Sequence, residues 1–208
     1  MKHYTLTALS IALTLAFSLG LADAGAEQPE PAEPMILEDF ADDEVADRWV
    51  TVNDGVMGGK STGGPSFEDG IVTFSGKTNT DGGGFSSIRS KPAAFDLAGQ
   101  AGLYLRVKGD GRTYKASVRT DVTFRRWSVP FRADFETVKG EWAEVFIPFE
   151  NFTPSFRGRE LNPAPELDPS KVQSLGLMIY DKKDGPFEIQ VDWIKAVPTN
   201  PEPSVDQQ

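Results

Sequence analysis

Apolar and polar residues alternate with a period of two over most of the middle of the chain. In Leu103-Tyr104-Leu105-Arg106-Val107-Lys108, Leu103, Leu105 and Val107 share one face, while Tyr104, Arg106 and Lys108 share the other. Tyr114, Ala116 and Val118 alternate with Lys115, Ser117 and Arg119, and Ala143, Val145 and Ile147 alternate with Trp142, Glu144 and Phe146. Leu175, Leu177 and Ile179 repeat the pattern. So do Phe187, Ile189, Val191 and Trp193, which the alternation sets together on a buried face. Such alternation marks strands half buried against a core. Ile71–Ser75, Gly84–Ser90 and Arg126–Arg132 read as further strands, and Leu37–Asp47 is the one stretch that suits a short helix. Gly109-Asp110-Gly111-Arg112 and the run from Asp181 to Pro186 carry the turn chemistry of hairpins. Many short strands with Gly, Pro and Asp turns and no internal repeat predict an all-β fold: a single-domain antiparallel β-sandwich of the jelly-roll kind.

The two ends read differently. Tyr4 to Ala22 carries no charge, is rich in Leu and Ala, and follows Lys2. Small residues at Ala22, Ala24 and Ala26 suit signal peptidase, so residues 1–24 read as an export signal and the mature protein as periplasmic or secreted. The alternative is an uncleaved membrane anchor, because the stretch nearly reaches the roughly 20 residues a span needs. Membrane contact is expected only in that case. Residues 25–36 form a Pro/Glu-rich linker, 37–197 the domain, and 198–208 a polar tail.

Composition narrows the chemistry. The chain has 31 acidic and 21 basic residues, a formal net charge of −10, one histidine (His3) and no cysteine. These counts exclude Ser-His-Asp and Cys-His catalysis, zinc held by imidazole or thiolate, haem or iron–sulfur ligation, and disulfides. An acidic chain has no basic face for phosphate backbones, so nucleic acid is not an expected partner. No catalytic residue, metal or cofactor is assigned.

Asp54-Gly55-Val56-Met57-Gly58-Gly59-Lys60-Ser61 nearly matches a phosphate-binding loop. Asp54 stands where the first glycine belongs, and Thr62-Gly63-Gly64-Pro65 cannot open the helix that such a loop needs. Nucleotide binding is therefore rejected. In Gly109-Asp110-Gly111, Tyr114 replaces the third glycine of a dinucleotide fingerprint, and Asp181-x-x-Asp184-Gly185 lacks calcium-loop spacing. A single Ca²⁺ held elsewhere by loop oxygens stays open. Glycosidic cleavage would need two carboxylates roughly 5–10 Å apart with one pKa raised. The sequence singles out no such pair.

Glycines at 58, 59, 82, 83 and 84 first of all permit positive φ. Two such loops beside aromatic and polar clusters suggest a shaped surface. Aromatic side chains such as Trp127 and Phe156, near Arg125, Arg126, Arg132, Arg157 and Arg159, either close the ends of a sandwich or receive a sugar ring or a flat partner.

Several ordered blocks carry a family resemblance. They are Trp49 through Ser61; Gly83-Gly84-Phe85-Ser86-Ser87-Ile88-Arg89; Leu105 through Tyr114; and Trp142 through Phe149. Phe152 through Gly158, Leu175 through Ile179 and Asp181 through Phe187 follow. Together they resemble the CIA30 family, the complex I intermediate-associated protein 30 domain, over residues 37–197. The resemblance implies a galactose-binding-domain-like jelly roll, and a chaperone-like factor of respiratory complex I assembly rather than an enzyme. The expected function is a non-enzymatic, exported binding module for a protein complex or a carbohydrate. The alternatives are a carbohydrate-binding or glycan-processing accessory domain and a carboxylate-based glycoside hydrolase. The candidate surface comprises Asn53, Asp54, Met57, Ser61, Phe85, Arg89, Arg112, Trp127 and Arg157. Arginines would pair with carboxylates or hydroxyls, glycine backbone would allow close approach, and Trp127 would stack.

Overall fold

A computed structural model describes residues 33–157 and 159–200. The expected export signal, most of the linker and most of the tail lie outside the described residues. Two antiparallel sheets make up the fold. Sheet A is six-stranded, in the order β3 (Thr62–Glu68), β4 (Ile71–Thr78), β13 (Gly185–Val197), β6 (Gly102–Lys108), β9 (Trp142–Pro148), with β1 (Met35–Glu38) also paired to β13. Sheet B is seven-stranded, running from β11 (Arg159–Glu160) and β10 (Thr153–Phe156) through β8 (Trp127–Glu136) and β7 (Thr113–Phe124). It continues with β12 (Ser174–Ile179) and β5 (Ser86–Ser90) and ends at β2 (Trp49–Asn53).

The alternation explains why these segments are strands. Val72, Phe74, Leu105, Val107, Ile189 and Val191 of sheet A are buried in one core with Ile88, Tyr114, Val118, Phe131, Leu175 and Leu177 of sheet B. Burying each large apolar side chain is worth about 1.5–3 kcal/mol, so a strand slipped by one residue would lose its whole share of the core.

Three expectations are corrected. The Gly109–Arg112 turn does not close a hairpin, because β6 lies in sheet A and β7 in sheet B. The Asp181–Pro186 run likewise crosses from β12 to β13. Turn chemistry reverses a chain without deciding which sheet the next strand joins. The tight Asp-Gly hairpin is instead Asp69-Gly70 between β3 and β4, with φ of 50° and 73°. Trp193 does not share the face of Phe187. The register shifts between Val191 and Trp193, and the extra residue hands the buried phase to Ile194 and Ala196. Trp193 turns outward against Tyr104 and beneath the ammonium of Lys195, 3.9 Å from the ring centre. Within Leu37–Asp47, the first residues belong to β1, and helix is confined to the single turn α1 (Val45–Arg48).

Candidate binding surface

Asp54 sits at the end of β2 with its side chain fully enclosed. Its carboxylate accepts hydrogen bonds from the Ser61 N–H (2.8 Å), the Ser61 hydroxyl (2.6 Å), the Gly84 N–H (2.6 Å) and the Phe85 N–H (3.2 Å). Burial opposes ionisation, but the Ser61 hydroxyl and these backbone donors outweigh it and hold the carboxyl below the usual carboxylate range. A Cβ on Gly59 would lie 2.3 Å from the Asp54 side chain, and one on Gly83 would lie 2.4 Å away. The two glycine loops are thus wrapped around one buried anion. Thr62 opens β3 rather than a helix, so no phosphate cradle forms here. Asn53 joins the same knot, donating to the Gly63 carbonyl (3.1 Å) and accepting from the Ser86 hydroxyl (2.6 Å).

Arg112 is likewise occupied. It grips Asp181 through Nε (2.9 Å) and Nη2 (2.5 Å) and also donates to the Lys183, Gly185 and Pro186 carbonyls and the Thr78 hydroxyl. It thereby ties together the two loops that cross between the sheets. Of the remaining candidates, Met57 is exposed beside Val56, and Phe85 is half-buried. Trp127 is 63% exposed at the far end of β7–β8, where Arg125 and Arg126 make the turn at φ of 49° and 70°. Arg157 lies over the Phe156 ring (5.5 Å), which packs on Phe124 (5.2 Å between centres). The structure therefore gathers Asn53, Asp54, Ser61, Phe85 and Arg112 at one end of the sandwich, with Trp127 and Arg157 at the other. Arg89 joins neither group.

Arg89 lies instead on the outward face of sheet B. The strand register lines up Val50, Arg89, Gly176, Ser117, Arg132 and Thr153 in one row across six strands. The neighbouring row on one side reads Val52, Ser87, Met178, Lys115 and Asp134, and on the other side Ser174, Arg119 and Pro130. Sequence reasoning missed Arg119, and placed Arg132 only among the arginines near aromatic residues, outside the candidate surface. Lys115 is paired with Asp134. Among the described residues, Arg119 reaches only Ser128 (2.8 Å to its carbonyl) and Arg132 only the Ser155 hydroxyl (2.8 Å). Among the described residues, none of Arg89, Arg119 and Arg132 has a carboxylate partner. Burial, and then the charges of Arg89 and Arg132, pull Arg119 down to about 10, and burial alone pulls Arg132 down to about 10. Both still carry their charge at neutral pH.

The carboxylates with displaced pKa (Asp42, Asp54, Asp168, Asp181 and Asp184) are all displaced downward. A proton donor to a glycosidic oxygen needs the opposite. No group of three or more His, Cys, Asp or Glu gathers to hold a metal ion among the described residues.

The sequence model of the family described as Complex I intermediate-associated protein 30 (CIA30) matches residues 38–191. The chain belongs to the CIA30 family. It is 29% identical over 198 residues to Complex I intermediate-associated protein 30, mitochondrial, of Mus musculus, covering 79% of this chain and 58% of the mouse protein. The Drosophila melanogaster protein of the same name is 28% identical over 186 residues, with 79% and 63% covered. The chain thus spans less than two thirds of the length of these CIA30 relatives. Their mitochondrial designation overturns the expectation of an exported, periplasmic or secreted protein. Among solved structures, the chain is similar to the family 11 carbohydrate-binding module of Clostridium thermocellum, solved with a β-1,3-1,4-mixed-linked tetrasaccharide. That match has a TM-score of 0.59 and 17% identity, covering 82% of this chain and 99% of the module. The likeness is one of fold: a galactose-binding-like jelly roll, as the CIA30 resemblance implied.

Proposed function

We propose that this CIA30-family chain is a non-enzymatic binding module that associates with a protein intermediate of respiratory complex I assembly. The observation that carries the reading is the family match, which runs through strands of both sheets from residue 38 to residue 191. The downward shifts of the displaced carboxylates, Asp54 and Asp181 among them, support binding over acid catalysis. The test is affinity purification of the tagged full chain with quantitative identification of co-purifying proteins. Enrichment of complex I subunits is the expected result. Their absence, together with normal complex I content in a deletion strain, would overturn the reading.

A carbohydrate partner is the second reading, favoured by the exposed ring of Trp127 beside the Phe124–Phe156 pair. It predicts retention on a polysaccharide affinity gel that Trp127→Ala abolishes. Migration unchanged by any polysaccharide would remove it.

A further inference from the structure

We propose that Arg89, Arg119 and Arg132 form a carboxylate-binding basin on the outward face of sheet B, and that its occupant is an extended acidic segment of a partner protein. The inference rests on the protein-partner reading above and names the surface and the chemistry it uses.

The floor of the basin is low. Gly176 and Ser117 separate Arg89 from Arg132 in the same row, and a Cβ on Gly176 would meet the Ser117 hydroxyl at 2.7 Å and the Ile88 carbonyl at 2.8 Å. Three strand steps place the Arg89 and Arg132 backbones about 14 Å apart. Arg119 lies two residues along β7 from Ser117, and so flanks the same floor. Arg119 and Arg132 are partly buried, Arg119 is repelled by both Arg89 and Arg132, and among the described residues the Arg119 and Arg132 side chains bond only to serine oxygens. Holding like charges together with no counter-charge among the described side chains works against the free fold, and an anion relieves both the repulsion and the lost hydration. Guanidinium forks suit carboxylates, which they bind bidentately.

Charge complementarity and the length of the row point to the occupant. An extended chain carries residues i and i+4 about 13 Å apart on one face, so Asp or Glu at i, i+2 and i+4 reaches all three arginines. The three rows contain no aromatic side chain on which a sugar ring could pack, and Val50 and Val52 provide an apolar shoulder at one end of the rows. In a chain of net charge −10, this arginine-lined patch also gives an acidic segment an attractive landing place.

The test is calorimetric titration of the full chain with a ten-residue peptide bearing Glu at alternate positions, and with its Gln counterpart, at fixed ionic strength. Inorganic phosphate and polygalacturonate serve as further probes. The Glu peptide is expected to bind at least tenfold more tightly than the Gln peptide. Arg89→Gln/Arg132→Gln is expected to lose at least tenfold of that affinity without a fall in Tm. Arg89→Gln alone, at a side chain that bonds to no described group, keeps the test valid if the double variant is unstable. Equal binding of the two peptides, unchanged binding by the variants, or binding of phosphate or polygalacturonate in place of the peptide would overturn the proposal. Undiminished co-purification of complex I subunits with Arg89→Gln would also overturn the basin while leaving the assembly reading intact. Peptide binding without any co-purification would do the reverse.

Discussion

Two charged clusters in this molecule have opposite fates. The Asp54 carboxylate is wholly enclosed and accepts four hydrogen bonds, all from its own loops. The guanidiniums of Arg89, Arg119 and Arg132 lie on the outward face of sheet B with no described carboxylate to answer them. A buried charge satisfied from within holds the fold together. A partly buried charge left unanswered holds capacity for something outside. The more conspicuous sequence motif turned out to be the first kind, and the less conspicuous one the second.

The comparison breaks most visibly at Asp54. Asp54→Ala leaves the Ser61, Gly84 and Phe85 donors buried without an acceptor, and is expected to cost about 4 kcal/mol in urea unfolding. A loss below about 1 kcal/mol would return this loop to the list of binding surfaces. The same carboxylate sets the acid limit of the fold. Its pKa is lowered in the folded state, so its contribution is complete above the unfolded value near 4 and is lost as pH falls through the lower folded value. Asp181 behaves likewise through its bonds to Arg112. Stability should therefore hold from pH 7 to about 5 and fall below about 4, with a shallower fall in Asp54→Asn.

Arg112→Ala comes next. It strands Asp181, whose side chain is 5% exposed, and should cost about 3 kcal/mol by urea unfolding. Smaller again, Gly83→Ala pushes a methyl group against the Asp54 carboxylate and should cost about 2 kcal/mol, read as a fall in Tm. The smallest effect has the opposite sign. Arg119→Gln removes one of three repelling charges and should leave Tm unchanged or raise it slightly.

What the sequence disclosed follows the reach of its signals. Period-two alternation is a local property, so the buried phases of β6, β7 and β12 were plain, down to Leu105, Val118 and Leu177. A single extra residue in β13 defeats that logic, which is why Trp193 was assigned to the wrong face. Asp54, Gly83 and Phe85 were legible as a cluster, but whether that cluster faces solvent depends on how the two loops close around the carboxylate. The grouping of Arg119 and Arg132 with Arg89 was invisible for a different reason. On any one strand, an outward Arg looks like a solvated residue. Only the pairing of β5, β12, β7 and β8 shows that three of them share a floor with no acid between them.

The most direct measurement sets Asp54→Asn beside Arg89→Gln/Arg132→Gln, with Tm and affinity for the Glu-bearing peptide read on both. The account predicts a lower Tm with retained peptide affinity, at temperatures where the protein is folded, for Asp54→Asn. For the arginine pair it predicts an unchanged or higher Tm with affinity reduced at least tenfold. The reverse assignment, with peptide affinity lost at Asp54 and stability lost at the arginines, would contradict it.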